Sequence, residues 1–520
     1  MRMTGDSSLT DPLLSAENWI MIRVTQEELP PMEDGEEGLV ATPVAPPIVA
    51  HDEPWYRNVS QLCAMLSNFS TSYNVVNISL VLPILSQVWE HSPTSEETAA
   101  VASSLLAGMM VGQVFGGALG DSFLGRLGAL RLVMAIQIVA SIASSLVNSY
   151  EGLAAWRFLL GVGAGGVYPL AAVLSAELKD SWVVLTFGTQ GLGFGAVPVV
   201  ALCLLYTVQS LSVVWRLLVA CGAIPGLVLM MLQWLAFRKH SRRDLVPLHD
   251  EMEPPRDEGG QETDALSEGD SADIETFLDS NPELGSDDGF QESNPTARRH
   301  GFWNALRSEE NIVSKMIGTA GTWFLFDVLF YGNTLFQPIV IEAAFGPRES
   351  TDAIHFLRQT AFDSFLLASI AMPGYVVAGL MLGRTTCGLE QTPRFVMLQG
   401  FAWMGTLYLS IGLFWHDLKR CPSLLVALYG LTFFFANYGP NTTTFILPSL
   451  VYSPECRSTL NGLSAAAGKL GAWTGATLFE PAADAWGDSV AMLLCAGVAV
   501  VAFMLTQCFV RLPERGTPVA

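Results

Sequence analysis

Twelve apolar stretches, each long enough to cross a lipid bilayer, limit this chain more than any other feature does. They lie near residues 60–88, 98–120, 127–148, 152–176, 183–208, 212–236, 312–342, 362–382, 394–415, 422–449, 457–479 and 487–511. Crossing the hydrocarbon takes about 20 residues of helix. Inside it the backbone must satisfy its own hydrogen bonds, so runs of this length are predicted to be helices. The expected fold class is an all-α membrane protein with twelve helices in two six-helix bundles. The boundaries are a tail at 1–54, a first bundle at 55–236, a loop at 237–311, a second bundle at 312–512 and a short tail at 513–520. Such a six–loop–six layout suggests two pseudo-equivalent halves with a binding site between them near the midplane.

The charge pattern fits this division. Only 15% of the 520 residues are charged, against about 25% in an average soluble protein. The net charge of −22 is carried mostly by two stretches, Asp6–Glu53 and Asp244–Glu310, whose composition cannot bury a core and reads as disordered. An acidic balance argues against nucleic acid as a partner. The eight cysteines are scattered with no CxxC pair, so neither a metal framework nor a disulfide scaffold is expected, and no cofactor. Residues 1–50 lack the apolar core of a cleavable signal, so the first helix is expected to be retained. Arg126, Arg131, Lys179, Arg238, Lys239, Arg242, Arg243, Arg384, Arg394, Arg457, Arg511 and Arg515 fall on one side of the spans. The other side has few basic residues, which places both termini and the long loop in the cytoplasm. On this topology the sequon Asn58-Val59-Ser60 faces the wrong side for glycosylation.

Polar groups inside the runs are the functional candidates. Asp327 lies well inside the seventh run, where an acid costs roughly 2.5–3.5 kcal/mol on insertion scales and marks a functional site by default. Trp323, Asp327 and Tyr331 follow at i, i+4 and i+8 and so share one helix face. Lys469, among small and apolar residues of the eleventh run, needs an anion or an acid partner. Gln190, Asn437, Asn441 and Tyr168 add amide and phenol groups. Together these donors suit a small oxyanion. Each also has a bland reading: a protonated acid bonded to a neighbouring helix for Asp327, interhelical hydrogen bonds for the amides, interface snorkelling for Arg157. The glycines of the second run (Gly108, Gly112, Gly116, Gly117) and of the fourth (Gly161, Gly163, Gly165, Gly166) read first as close packing. No nucleophile elbow, metal-ligand spacing or phosphate loop speaks for an enzyme.

Several segments carry a resemblance. Gly116-Gly-Ala-Leu-Gly-Asp121-Ser-Phe-Leu-Gly-Arg126 resembles the loop motif of the major facilitator superfamily, stretched here by one residue. The stretch from Tyr429 to Ile446 is very similar to the tenth helix of the phosphate:proton symporters of plants and fungi. Gly462-Leu-Ser-Ala-Ala-Ala-Gly-Lys469, the segment from Arg157 to Leu170 and the surroundings of Asp327 are similar as well, so the resemblance spans roughly residues 55–512. It implies the facilitator fold, alternating access and inorganic phosphate as substrate. It also implies a phosphate site of Tyr168, Gln190, Trp323, Asp327, Tyr331 and Asn437, with Lys469 contributing charge. Asp327 is the candidate for proton coupling, and Asp121, Arg126 and Glu177 form a cytoplasmic latch.

The departures from that family concern coupling. Its acid-rich motif in the first helix reads Phe69-Ser-Thr71-Ser-Tyr73-Asn74 here, and its Gly-Gly-Asp-Tyr-Pro reads Gly165-Gly166-Val167-Tyr168-Pro169. Leu450 and Gly383 stand where the second latch usually has acids. Phosphate binding is therefore expected, with H+, another cation or no coupling ion. A phosphate sensor, or a carrier of an organic phosphate or other organic anion, is the alternative. The bilayer surrounding the chain is expected to be the plasma membrane rather than a vacuolar or lysosomal endomembrane, although Leu13-Leu14 resembles a dileucine sorting signal.

Overall fold

The computed structural model describes residues 54–89, 94–122, 124–178, 180–235, 304, 306–345 and 352–512. The tail at 1–54 apart from Pro54, most of the loop at 237–311, the segment 513–520 and the Leu13-Leu14 pair lie outside the described residues.

Among the described residues, twelve helical spans follow one another. The first half comprises Pro54–Val76 continued by Ile78–Val88, Ser95–Gly120, Gly125–Ser144, Tyr150–Leu178, Asp180–Thr207 and Leu211–Leu235. The second comprises Ile312–Met316 continued through a wide turn into Thr322–Phe345, Ala353–Met381, Pro393–Leu413, and Pro422–Ala436 continued through a second wide turn into Thr442–Val451. Arg457–Trp486 and Asp488–Phe509 complete it. Among the described residues, ten spans are both long and apolar enough to cross a membrane. The tenth is broken into pieces of 15 and 10 residues. The eleventh is 30 residues long but mixes Ser, Thr, Asn and Lys with its small residues. The eighth begins nine residues before its expected start, because Asp352 caps it by accepting the Ile354 N–H at 3.0 Å. Thr94 and Glu97 form a reciprocal capping box at the start of the second.

Glycines set how closely the helices approach. In lipid there is no hydrophobic driving force between helices, so van der Waals fit and small residues hold them together. A β-carbon on Gly161 or Gly165 would enter the backbone carbonyls of Leu105 or Met109 on the second helix. One on Gly108 or Gly112 would meet those of Phe158 and Val162 on the fourth. The second and fourth helices are thus interlocked backbone to backbone. The same device joins the seventh and eleventh: a β-carbon on Gly471 or Gly475 would enter the carbonyls of Phe324 or Val328. Large apolar side chains such as Val139, Leu185, Trp234, Leu413 and Val500 stand exposed, as lipid-facing surface should.

The break in the tenth helix follows from Pro440, which lacks an N–H and whose ring displaces the carbonyl four residues back. Gly439 leaves helical geometry there, at φ −96° and ψ −105°. The threonine run that follows turns its hydroxyls onto its own helix: Thr442, Thr443 and Thr444 donate to the carbonyls of Asn437, Gly439 and Pro440 at 2.6, 2.9 and 2.8 Å. Gly400 of the ninth helix makes room, since a β-carbon on it would meet Pro440 and Gly439.

Gly165→Ala is expected to drive a methyl group into the Met109 carbonyl at a cost of about 3 kcal/mol, the upper range for overpacking. Gly497→Ala, inside the last helix and with a new methyl that meets nothing within 4 Å, should keep or slightly raise the unfolding temperature. Melting of both variants in detergent checks the contrast.

Candidate functional site

The interlocked seventh and eleventh helices bring Asp327 and Lys469 into contact. Lys469 Nζ lies 2.8 Å from Asp327 Oδ2 and donates a second hydrogen bond to the Tyr331 hydroxyl at 3.1 Å. Both charged side chains are buried. The ammonium also lies 4.6 Å from the Tyr331 ring centroid and 5.7 Å from that of Tyr168, within range of a cation–π attraction. Tyr168 comes from the fourth helix, so the first half reaches the cation of the second. Gly468 gives the Trp323 indole its place: a β-carbon there would fall 2.7 Å from Nε1. Taking two charges out of water costs several kcal/mol each, and the pair is stable only because they meet in good geometry. The expected acid partner of Lys469 is therefore Asp327 itself.

A second set of polar groups packs beside this pair. Asn441 Nδ2 donates to Asn437 Oδ1 at 2.8 Å and to the Tyr375 hydroxyl at 3.0 Å. Tyr375 also shares a hydrogen bond with Gln190, and Gln190 Oε1 is left buried without a partner. Asn437 Nδ2 is spent on the Ala371 carbonyl at 3.1 Å. Tyr168, Trp323 and Tyr375 belong to one continuous packed cluster, joined through Phe187 and Phe445. All seven residues expected from the sequence are thus buried or, for Tyr331, in contact with Lys469. Tyr375 was not anticipated. It lies in an apolar run after Pro373-Gly374, and nothing in its spacing separates it from a packing residue.

At the two first-half positions where the sequence departs from the acids of the family it resembles, neutral groups stand in satisfied positions. Asn74 Nδ2 donates to the carbonyls of Ser70 and Gly222, both at 3.0 Å, and Asn74 Oδ1 accepts from Ser141 at 3.2 Å. Val167 is fully buried among Leu130, Val133 and Leu170. Arg157, for which snorkelling to the interface was the bland reading, is 2% exposed.

At one end of the bundle the halves are tied together. Asp121 ends the second helix and its carboxylate accepts from the N–H groups of Ser458 and Thr459 at 3.3 and 2.7 Å, and from the Thr459 hydroxyl at 2.8 Å. It caps the eleventh helix from across the interface, as a negative charge at a helix N-terminus should. Burial pushes the Asp121 carboxyl up, opposed by Arg126 and Thr459. Arg126 pairs with Glu177, lies 3.5 Å from Asp121, and donates to the Pro454 carbonyl. The three expected latch residues therefore meet, and Pro454, Ser458 and Thr459 are partners the sequence did not reveal. Gly383 has a φ of +76°, so a glycine suits that turn better than the acid usual there. Glu309 fastens the start of the seventh helix to the same end, accepting from Ser453 N and Oγ at 3.2 and 2.6 Å and pairing with Lys315.

The family model described as Major Facilitator Superfamily matches residues 64–476. The Probable inorganic phosphate transporter 1-6 of Arabidopsis thaliana is 30% identical over 499 residues, covering 87% of this chain and 91% of that protein. The Low affinity inorganic phosphate transporter 1 of Petunia hybrida is 29% identical, covering 82% and 83%. Among solved structures, the proton:xylose symporter XylE aligns with a TM-score of 0.63 at 16% identity, covering 88% of this chain and 96% of XylE. The human organic anion transporter MFSD10 aligns with a TM-score of 0.56 at 15% identity, covering 88% and 100%. At these identities the two structures speak for the fold alone.

Asp327→Asn is expected to leave Lys469 buried and unpaired, costing about 3–5 kcal/mol, whereas Asp327→Asn with Lys469→Met should recover most of it. Thermal unfolding of the double-mutant cycle measures the coupling. For Glu309, burial raises the carboxyl, but the bonds from Lys315 and Ser453 outweigh it and hold its pKa below the ordinary value of 4.5. Its contribution is present above that value and lost as pH falls through the lower folded one. Glu309→Gln should lower Tm at neutral pH and flatten its acid dependence below about pH 4.5.

Proposed function

This chain belongs to the major facilitator superfamily, in the family of the inorganic phosphate transporters, and from that premise we propose that it carries inorganic phosphate across a membrane by alternating access between its two six-helix halves. It is a transporter and not an enzyme. The observation that carries the reading is the buried Lys469–Asp327 pair, ringed by Tyr168, Tyr331 and Trp323 at the junction of the halves. The Tyr331 hydroxyl, the Trp323 indole and Lys469 supply donors for phosphate oxygens. Gln190 and Asn437 line the same cluster as amides.

The charges set the order of events. Without substrate, Asp327 keeps Lys469 neutralised, so the empty site is stable in low dielectric. Phosphate takes over part of the ammonium, and a protonated phosphate oxygen donates to Asp327. A bare carboxylate beside a second anion would be repelled at short range, so one proton accompanies each phosphate or resides on Asp327. Among the described residues, Asp327 is the only carboxylate buried inside the spans. Any proton coupling therefore runs through Asp327, since Asn74 and Val167 cannot titrate. The basic residues at the Asp121–Arg126 end support a cytoplasmic orientation for that end. In this reading the ties among Asp121, Arg126, Glu177 and the eleventh helix close the inner side, and their rupture opens it.

Reconstituted in liposomes, the protein is expected to take up radiolabelled phosphate saturably, faster with an inward proton gradient. The charge-free pair Asp327→Asn/Lys469→Gln should cut the rate at least tenfold, an effect of about 1.4 kcal/mol or more on the transport barrier. No flux, with a plant relative active under the same conditions, would sink the phosphate reading. Flux indifferent to the gradient would remove the coupling role of Asp327 and leave a facilitator.

A further inference from the structure

Eleven residues before Tyr168 on the fourth helix, about 16 Å away along its axis, Arg157 is buried at 2% exposure. Its Nε donates to the Val101 carbonyl at 3.2 Å and its Nη1 reaches the Asn77 side-chain oxygen at 3.5 Å. Both acceptors are neutral. Its Nη2 is buried with no partner, and so is Asn77 Nδ2 on the residue it touches. Among the described residues, no ion pair reaches Arg157. Two donors on adjoining side chains are thus left without an acceptor, beside a positive charge without a counter-charge.

Each deficit is costly. A guanidinium keeps its proton at any physiological pH, and an uncompensated buried charge costs several kcal/mol. Each unmet buried donor adds about 1–3 kcal/mol. Arg157 also has little freedom to withdraw. It stands seven residues into its helix, and one turn deeper Gly161 presses that helix against the carbonyl of Leu105. One species meets both needs: a small anion that accepts hydrogen bonds and brings none of its own to satisfy. A tetrahedral oxyanion would carry four oxygens to two free donors. A halide carries none in excess.

We propose that Arg157 and Asn77 bind a chloride ion within the first half, at a site separate from that of the transported substrate. The ion accepts from Arg157 Nη2 and Asn77 Nδ2 and neutralises the guanidinium. The first half then moves in the bilayer without an uncompensated charge in its interior.

The test uses the full chain purified in detergent, without phosphate, with gluconate as the starting anion. Replacing gluconate by chloride at constant ionic strength should raise Tm saturably, and bromide should do the same. Asn77→Asp puts a carboxylate where Asn77 Oδ1 faces Arg157. It should raise Tm in gluconate and abolish the chloride dependence. A chloride-independent Tm in the parent protein, or an unchanged chloride dependence in Asn77→Asp, would overturn the proposal. If inorganic phosphate reproduces the chloride effect and loses it with Asn77→Asp, the site takes oxyanions and the chloride assignment falls. Bromide anomalous scattering from crystals of the parent protein gives a readout that does not depend on the variant folding. A peak within hydrogen-bonding reach of Arg157 Nη2 supports the site, and its absence there overturns it. None of these outcomes depends on phosphate transport.

Discussion

Hydrocarbon neither donates nor accepts a hydrogen bond, and the rest of this structure depends on how the chain meets that constraint. The backbone meets it by forming helices. Beside the break at Pro440, three threonine hydroxyls satisfy their own donors on backbone carbonyls of the same helix. Side-chain amides meet it by bonding to neighbouring helices, as Asn74 does with Ser70, Gly222 and Ser141. Charges meet it by pairing, as Lys469 does with Asp327. Groups that remain unmet are informative for that reason, and Arg157 is one of them.

The same constraint shapes the site. A transporter must hold its substrate without collapsing when empty. Here the pair on the seventh and eleventh helices keeps the empty site neutral, while the phenols and amides around it carry dipoles rather than charge. The glycines at 468, 471 and 475 let the two helices approach closely enough for the pair to form. The fit of one helix against another thus sets the electrostatics of the site. Tyr168 lies against the same ammonium from the other half, so relative motion of the halves alters the surroundings of the charge.

The ties between the halves have a related logic. Asp121 does not simply pair with Arg126. It caps the N-terminus of the eleventh helix, the helix that carries Lys469 twelve residues after Arg457. The tie and the site cation therefore sit on one rigid element, and a rotation of that element that breaks the cap also moves Lys469. Glu309 holds Ser453, in the turn before the eleventh helix, so the start of the seventh is anchored at the same point.

Much of this was legible in the sequence. Long apolar runs fixed the spans, because hydrophobic length is a local property. The cost of a charge in lipid singled out Asp327 and Lys469, helix spacing and polar groups inside the runs gave the remaining donors, and resemblance supplied the latch triad. The misses share a cause. Tyr375, Ser458 and Thr459 matter through partners far along the chain, and Arg157 looked like a snorkelling residue until its surroundings were known. Hydropathy along the chain is enough to say which segments enter the bilayer and which residues are too polar to be there without a reason. Which of those polar groups meet was settled by the packing, because that depends on helix approach distances set by glycines on separate helices. It paired Lys469 with Asp327 and left Arg157 with no carboxylate.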